Sequence, residues 1–184
     1  MEEPDDKLET LVEITRGYVL PILFFVFCIR LYTTLWLTED SFISLRVAIN
    51  IIEGQGFVYN IGERVLAVTN PLWTMPMAVF VWMFGHPLHT ILYMGVVCSL
   101  LGVGVLIFRA APKPEQSIPA LIALCGSRYF IDYSTGGLEN PLVHLLLFIF
   151  FTLYLYIKPK YFLETYLRIY HLPYILKRYL LVIL

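Results

Sequence analysis

Two adjacent carboxylates, Glu39 and Asp40, directly follow an apolar run of membrane-spanning length. A carboxylate held at a bilayer surface can act as a general base toward a lipid-borne substrate, and such a base contributes about 10²–10⁴-fold to a reaction rate. The pair also has a structural explanation, because acids in the first turn of a helix stabilise the positive end of its dipole by about 0.3–1 kcal/mol. Both interpretations require a helix that begins at this pair.

The residues after the pair predict an amphipathic helix that lies on the membrane. Apolar side chains recur at helical spacing and form one face: Phe42, Leu45, Ala48, Ile49 and Ile52. Arg46 and Asn50 lie beside this face, and Gly54 and Gly56 are typical of a helix end followed by a change of direction. These residues predict that the helix ends before Gly54.

The next segment predicts a turn and a second helix. Residues 57–66 place Asn60 and Gly62 between two short β-prone pieces, which predicts a small hairpin-like turn. Asn70 and Pro71 predict the N-cap and the first position of the following helix.

Composition places these segments in a membrane protein. Hydrophobic residues make up 59% of the 184 residues and charged residues only 15%, which is far too apolar for an ordinary soluble domain. A membrane-spanning helix needs about 20 mostly apolar residues. Four runs predict such helices: 17–37, 88–108, 118–133 and 141–157. We therefore expect an all-α, multi-pass protein of the plasma or inner membrane with about four transmembrane helices.

The lysine and arginine distribution sets the expected topology. If residues 71–86 crossed the membrane as well, most of the basic residues would lie outside, against the positive-inside rule. If that segment instead lies along the outer interface, nine of the 13 basic residues are cytoplasmic: Lys7, Arg16, Arg109, Lys113, Lys158, Lys160, Arg168, Lys177 and Arg178. We prefer this second topology, in which a large outer loop of amphipathic interfacial helices spans residues 38–87.

The preferred topology divides the chain into three parts. Residues 1–16 form a cytoplasmic tail, residues 17–157 the transmembrane module, and residues 158–184 a cytoplasmic or interfacial segment. The sequence STGGLEN, residues 134–140, then lies on the same outer face as Glu39 and Asp40.

Several classes of site are not supported by the sequence. Each of the three cysteines falls inside an apolar run, and neither a CxxC pair nor a Cys/His ligand spacing is present. We therefore predict no bound cofactor and no metal site, and leave a metal requirement open. The basic residues form no field suited to nucleic acid.

The ordered motifs TEDSFISLR, GQGFVYN, GERV, TNPLW and TGGLEN resemble the N-terminal part of the GT-C superfamily of polyprenyl-phosphate-dependent membrane glycosyltransferases. They are most similar to its arabinofuranosyltransferase and mannosyltransferase branch, whose pattern reads DDAFISFRYARN, GxGLVFNPGERVEGYTN and SGLET. Leu-Ala-Val at residues 66–68 departs from this pattern, as does Ile61, which replaces a proline. The resemblance covers residues 17 to about 157, so we expect the chain to correspond to the N-terminal portion of such an enzyme.

The resemblance implies an enzyme that moves a sugar from a polyprenyl-phosphate donor to a glycan, lipid or protein acceptor at the outer membrane face. Asp40 takes the role of the general base, and Glu39 replaces the first aspartate of the family. Motif positions implied to bind donor or acceptor are Arg46, Asn50, Arg64, Thr69, Asn70 and Glu139.

A departing phosphate needs cationic partners more than a general acid. Arg46, Arg64 and Arg128 are the candidates, since a guanidinium fork suits phosphate oxygens. Arg128 and Asp132 stand four residues apart in the third predicted span, where the family has apolar residues, and such a pair is either functional or a structural ion pair.

Two other classes of function are consistent with the same sequence. The first is a non-catalytic multi-pass membrane protein, either a degenerate fragment or an accessory subunit. The second is a transporter, in which Arg128 and Asp132 line a pathway, although the chain shows no internal repeat.

Overall fold

The computed structural model describes residues 12–63, 65–111 and 113–154, and within these ranges all regular secondary structure is helical, without a strand. The helices are α1 (Val12–Thr33, with a π-helical turn at Thr15–Val19), α2 (Glu39–Ile52), α3 (Pro71–Phe84), α4 (Pro87–Ala110), α5 (Ile118–Gly126), α6 (Arg128–Thr135) and α7 (Asn140–Tyr154). A 3₁₀ turn at Pro114–Ser117 precedes α5. The predicted tail up to residue 11 and the predicted segment 158–184 lie outside the described residues.

Two helices are long and apolar enough to cross a membrane: α1, with 22 residues, and α4, with 24. They overlap the first two predicted spans, although α1 begins five residues before and ends four residues before the predicted 17–37. The two helices indicate a membrane protein. The chain direction bends by 116° between helices α6 and α7. They supply a third crossing only if the bent pair acts as one span. The predicted total of four spans is therefore not confirmed.

The predicted span 118–133 is interrupted at Ser127. The backbone of Ser127 is extended, with φ −79° and ψ 107°, and its Oγ accepts a hydrogen bond from the N–H of Phe130 at 3.2 Å. Because serine at this position caps a new helix, the apolar run is divided into α5 and α6. The sequence prediction counted only hydrophobicity and missed this cap.

Two buried clusters hold the helices together. The first joins α1, α4, α5 and α6 through Phe27, Leu31, Val103, Leu121 and Ile131. The second joins α2, α3 and α4 through Leu45, Ala48, Trp73, Met77 and Ile91. Helix α4 belongs to both clusters, so it connects the α2–α3 pair to the remaining helices.

Close contact between α4 and the α6–α7 pair depends on two glycines. A Cβ placed on Gly95 would lie 2.9 Å from the carbonyl oxygen of Ser134, and one placed on Gly102 would lie 3.0 Å from the Phe148 ring. Membrane helices approach closely at such small residues, because van der Waals packing drives their association. This approach fixes the turn between α6 and α7 against α4.

The predicted apolar face of α2 is divided in the structure. Leu45 and Ala48 are buried against α3, whereas Phe42 is 48% exposed and Ile52 is 36% exposed. The buried face also includes Ser41 and other small or polar residues, because small side chains let neighbouring backbone come close. A single apolar face lying on the membrane is therefore not confirmed.

The ends of α2 and α3 follow the sequence prediction more closely. Helix α2 ends at Ile52 and is followed by Gly54 in the left-handed region, with φ 76°. The predicted turn is present, since the N–H of Glu63 donates to the carbonyl of Asn60 at 3.2 Å. The described residues on either side of it form no paired strands, so the hairpin part of that prediction is wrong.

Candidate functional site

The acidic pair occupies the first turn of α2. Thr38 is the N-cap residue, and its Oγ1 accepts a hydrogen bond from the backbone N–H of Asp40 at 3.1 Å. The hydroxyl of Ser41 donates to the Thr38 carbonyl at 2.6 Å. Glu39 and Asp40 are both exposed. The cap therefore fixes the backbone below the two carboxylates and leaves both side chains exposed to solvent.

The turn between α6 and α7 lies directly against the beginning of α2. The N–H of Thr38 donates to the carbonyl of Gly136 at 3.0 Å, and the Thr135 hydroxyl donates to the carbonyl of Thr34 at 2.9 Å. The indole N–H of Trp36 donates to the Asp132 carbonyl at 3.1 Å. The motif TGGLEN and the acidic pair, predicted to share one face, thus belong to adjoining segments.

Gly137 allows this contact. Its φ is +80°, and a Cβ at this position would lie 2.7 Å from Leu37 Cδ2 and 2.9 Å from Ser41 Cβ. Left-handed backbone and lack of space both exclude a larger residue. The glycine pair of the motif therefore has a packing role beside α2.

Glu139, which follows this turn, is held by Asn70. The Asn70 Nδ2 donates to Glu139 Oε2 at 2.7 Å, the distance typical of a hydrogen bond to a carboxylate. Asn70 Oδ1 accepts from the Thr74 hydroxyl at 3.2 Å and lies 3.5 Å from the Ser44 hydroxyl. Asn70 occupies the predicted N-cap position of α3, but its side chain makes no capping bond. It instead connects α2, α3 and the start of α7.

Trp73 is a site residue that the sequence did not identify. It is 1% exposed, and its indole N–H donates to the carbonyl of Gly137 at 3.2 Å. The sequence analysis placed its segment, residues 71–86, along the outer membrane interface and gave the tryptophan no role in a site. Its position three residues after Asn70 places both side chains on one face of the helix start, and this spacing could have indicated a shared partner.

Two further predicted binding residues contact the outer loop. Arg46 donates to Asn60 Oδ1 at 3.3 Å and lies 4.5 Å from the centre of the Tyr59 ring. The Nδ2 of buried Asn50 donates to the carbonyls of Val58 and Tyr59 at 2.7 and 3.0 Å. Asn50 thus holds the loop against α2, while the guanidinium of Arg46 is exposed.

The remaining residues predicted from the sequence are Thr69, Arg64, Arg128 and Asp132. Thr69 is exposed next to Asn70. Arg128 and Asp132 form the predicted pair, with Nε and Oδ2 3.3 Å apart, and the Arg128 side chain is 87% exposed. Arg64 lies outside the described residues. Within the described ranges, His, Cys, Asp and Glu side chains form no group of three that could hold a metal ion.

An apolar groove lies beside the hydrogen-bonded side chains of Asn70 and Glu139. Its volume is about 920 Å³, and helices α3, α4 and α7 form its walls. Among its lining residues are Leu72, Trp73, Met94, Val97, Leu101, Leu142 and Leu146. Leu72 and Leu142 stand close in sequence to Asn70 and Glu139, so one end of the groove adjoins the hydrogen-bonded pair.

The Asn70–Glu139 contact should be strongly coupled. In a double-mutant cycle with Asn70→Ala and Glu139→Ala, we expect a coupling free energy of about 1.5–3 kcal/mol, the range for hydrogen bonds to charged groups. The free energy of unfolding of the four proteins in detergent gives this value. The exposed pair of Asn60 and Glu63, 3.0 Å apart, is a matched control with the same side chains. Equal coupling in the two pairs would contradict a special role for the part-buried contact.

Comparison with known proteins identifies partial relatives. The chain is 33% identical over 120 residues to a terminal β-(1→2)-arabinofuranosyltransferase of Mycobacterium tuberculosis. The aligned region covers 59% of this chain and 19% of that protein. It is 28% identical over 114 residues to a protein of the same name from Corynebacterium glutamicum, covering 59% of this chain and 17% of that protein.

The chain thus spans about one fifth of the length of these curated relatives. No family model matches the chain, and no solved structure matches it. The partial relatives support a relationship to glycosyltransferases.

Proposed function

We propose that this chain carries the complete sugar-transfer centre of a GT-C-type glycosyltransferase, a multi-pass protein of the cell membrane that works at the outer face. It transfers a sugar from a polyprenyl-phosphate donor to a cell-envelope glycan, lipid or protein acceptor. The observation that carries the proposal is the contact between the Asp40 turn of α2 and the turn that leads to Glu139. A second polar segment beside an exposed carboxylate is what a two-substrate transfer site requires.

In the proposed reaction, Asp40 removes the proton of an acceptor hydroxyl. The hydroxyl oxygen forms the new bond to the sugar carbon, and the old bond to phosphate oxygen breaks with its electron pair on the phosphate. Because the leaving group departs as an anion, it is stabilised by cationic partners. Arg46, Arg64 and Arg128 are the proposed partners, and the exposed guanidinium of Arg46 lies on the same helix as Asp40.

The apolar groove supports a lipid-borne donor. A polyprenyl phosphate sugar has a long apolar chain and a polar head, and the groove combines an apolar wall with an end next to Asn70 and Glu139. Pockets that bind small molecules generally combine apolar walls with a few well-placed polar groups. We assign the polyprenyl tail of the donor to the apolar groove. Its phosphate and sugar are assigned to the end of the groove next to Asn70 and Glu139.

A transfer assay tests the proposal. The two relatives are arabinofuranosyltransferases by name, so radiolabelled polyprenyl-phosphate arabinose is the first donor and polyprenyl-phosphate mannose the second. Membranes that contain the chain are incubated with a short arabinan or mannan acceptor. We expect label in the acceptor, above the level in membranes without the chain. Correctly folded protein that transfers neither sugar would overturn the proposal in favour of a non-catalytic accessory protein.

A further inference from the structure

A second, smaller pocket lies in the angle between α6 and α7. Its volume is about 270 Å³, and its lining residues are Tyr129, Phe130 and Tyr133 from α6 with Asn140 and His144 from α7. The chain direction bends by 116° between the two helices. Tyr129 and Tyr133 on α6, and Asn140 and His144 on α7, each stand one helical turn apart and line the same space. None of these residues lines the apolar groove, and none was predicted as a site residue from the sequence.

His144 carries a polar atom that lacks a partner. Its ring centre lies 4.8 Å from that of Phe130, and its Nδ1 is buried without a hydrogen bond to any described residue. An unpaired buried polar atom costs about 1–3 kcal/mol, and native structures usually explain each one by function or by a bound molecule. Because the atom is closed to solvent in this conformation, a ligand hydroxyl would bond it, and remove the cost, after a rotation of the imidazole toward the pocket.

The lining defines the chemistry of that ligand. Three aromatic rings offer π faces for C–H groups, while the Asn140 amide and the His144 imidazole offer hydrogen bonds at the edge. Within the part of the chain that the structure describes, no lysine or arginine lines the pocket, so these residues do not suit a phosphate. Its volume corresponds to about nine water molecules at their share of liquid volume, which leaves room for one monosaccharide ring.

We propose that this pocket binds a single neutral sugar ring, the unit of the acceptor glycan next to the transfer site. Asn140 directly follows Glu139, whose carboxylate is bonded to Asn70, so the pocket adjoins the proposed site through consecutive residues. The inference deepens the proposed function and rests on it for the assignment of the sugar to the acceptor. Recognition of the ring itself depends only on the five lining residues.

Saturation-transfer NMR on the full chain in detergent micelles tests the pocket, with methyl arabinofuranoside as the probe. We expect saturable binding in the millimolar range, weakened at least tenfold in Tyr129→Ala and in His144→Leu. Tyr129 is 78% exposed, so its removal should leave the fold intact. His144→Leu keeps the side chain large and removes the unpaired nitrogen, so its thermal stability should equal or exceed that of the parent.

Tyr32→Ala provides the matched control, because Tyr32 is an equally exposed tyrosine, at 76%, on α1. Its binding should equal that of the parent chain. Equal weakening in Tyr32→Ala, or equal binding of glycerol as a probe, would identify the aromatic residues as general interface anchors and overturn the sugar site.

The binding assay contains no sugar donor, so it measures sugar binding independently of sugar transfer. Binding that persists in Asp40→Asn and is lost in Tyr129→Ala supports the pocket even where no transfer occurs. Absence of saturable binding in the parent chain, with transfer intact, overturns the pocket and leaves the proposed function standing.

Discussion

Replacing Asp40 with asparagine is expected to lower the rate of sugar transfer about 10²–10⁴-fold, the usual contribution of a positioned general base. Asparagine keeps the size and hydrogen-bonding shape of the side chain but cannot accept the proton of an acceptor hydroxyl. Because the base acts in the transition state, kcat and kcat/KM for the acceptor should fall together. Initial rates with labelled donor at several acceptor concentrations measure both.

One control variant and one stability measurement separate catalysis from helix stability. Glu53→Gln removes an exposed acid from the other end of α2 and should leave transfer unchanged. Loss of the Asp40 charge from the first helical turn costs about 0.3–1 kcal/mol, so the variant should remain folded, as thermal unfolding in detergent can show. An unchanged rate in folded Asp40→Asn would show that Asp40 is not the general base. Its charge would then serve only to stabilise the helix dipole.

The start of α2 and its neighbourhood to the TGGLEN turn are the features that the sequence predicted best. Glu39 and Asp40 begin a helix because Thr38 caps it, and this start could be predicted from an acidic pair after an apolar run. The topology argument predicted that this helix start and the TGGLEN turn share one membrane face, and the structure brings the two segments into contact. These features depend on local residue types and on charge, which a single sequence contains.

The partners of individual side chains could not be predicted in the same way. Asn70 occupies an N-cap position, yet its amide is bonded to Glu139, 69 residues away. The local cap and the distant carboxylate compete for one side chain, and tertiary contact decides between them. The burial of Trp73 against the Gly137 carbonyl has the same origin, because the sequence does not state which helix covers the start of α3.

Gly137 is the residue on which the second large effect depends. We expect Gly137→Ala to lower the free energy of unfolding by about 2–5 kcal/mol, because a left-handed backbone costs a non-glycine residue about 1–2 kcal/mol and overpacking about 1–3 kcal/mol more. The new Cβ would meet Leu37 and Ser41 at 2.7 and 2.9 Å. Denaturation of the purified protein in detergent measures the change.

Gly62→Ala separates the two causes of that loss. Gly62 has nearly the same backbone, with φ +88°, but nothing lies within 4 Å of a Cβ placed there, so this variant should lose only about 1–2 kcal/mol. The difference between the two variants then measures the closeness of the turn to α2. Because a displacement of about 1 Å can cost about 10²-fold in rate, folded Gly137→Ala should also transfer sugar far more slowly than Gly62→Ala. Equal stability and equal transfer in both variants would mean that the TGGLEN turn does not position the Asp40 carboxylate.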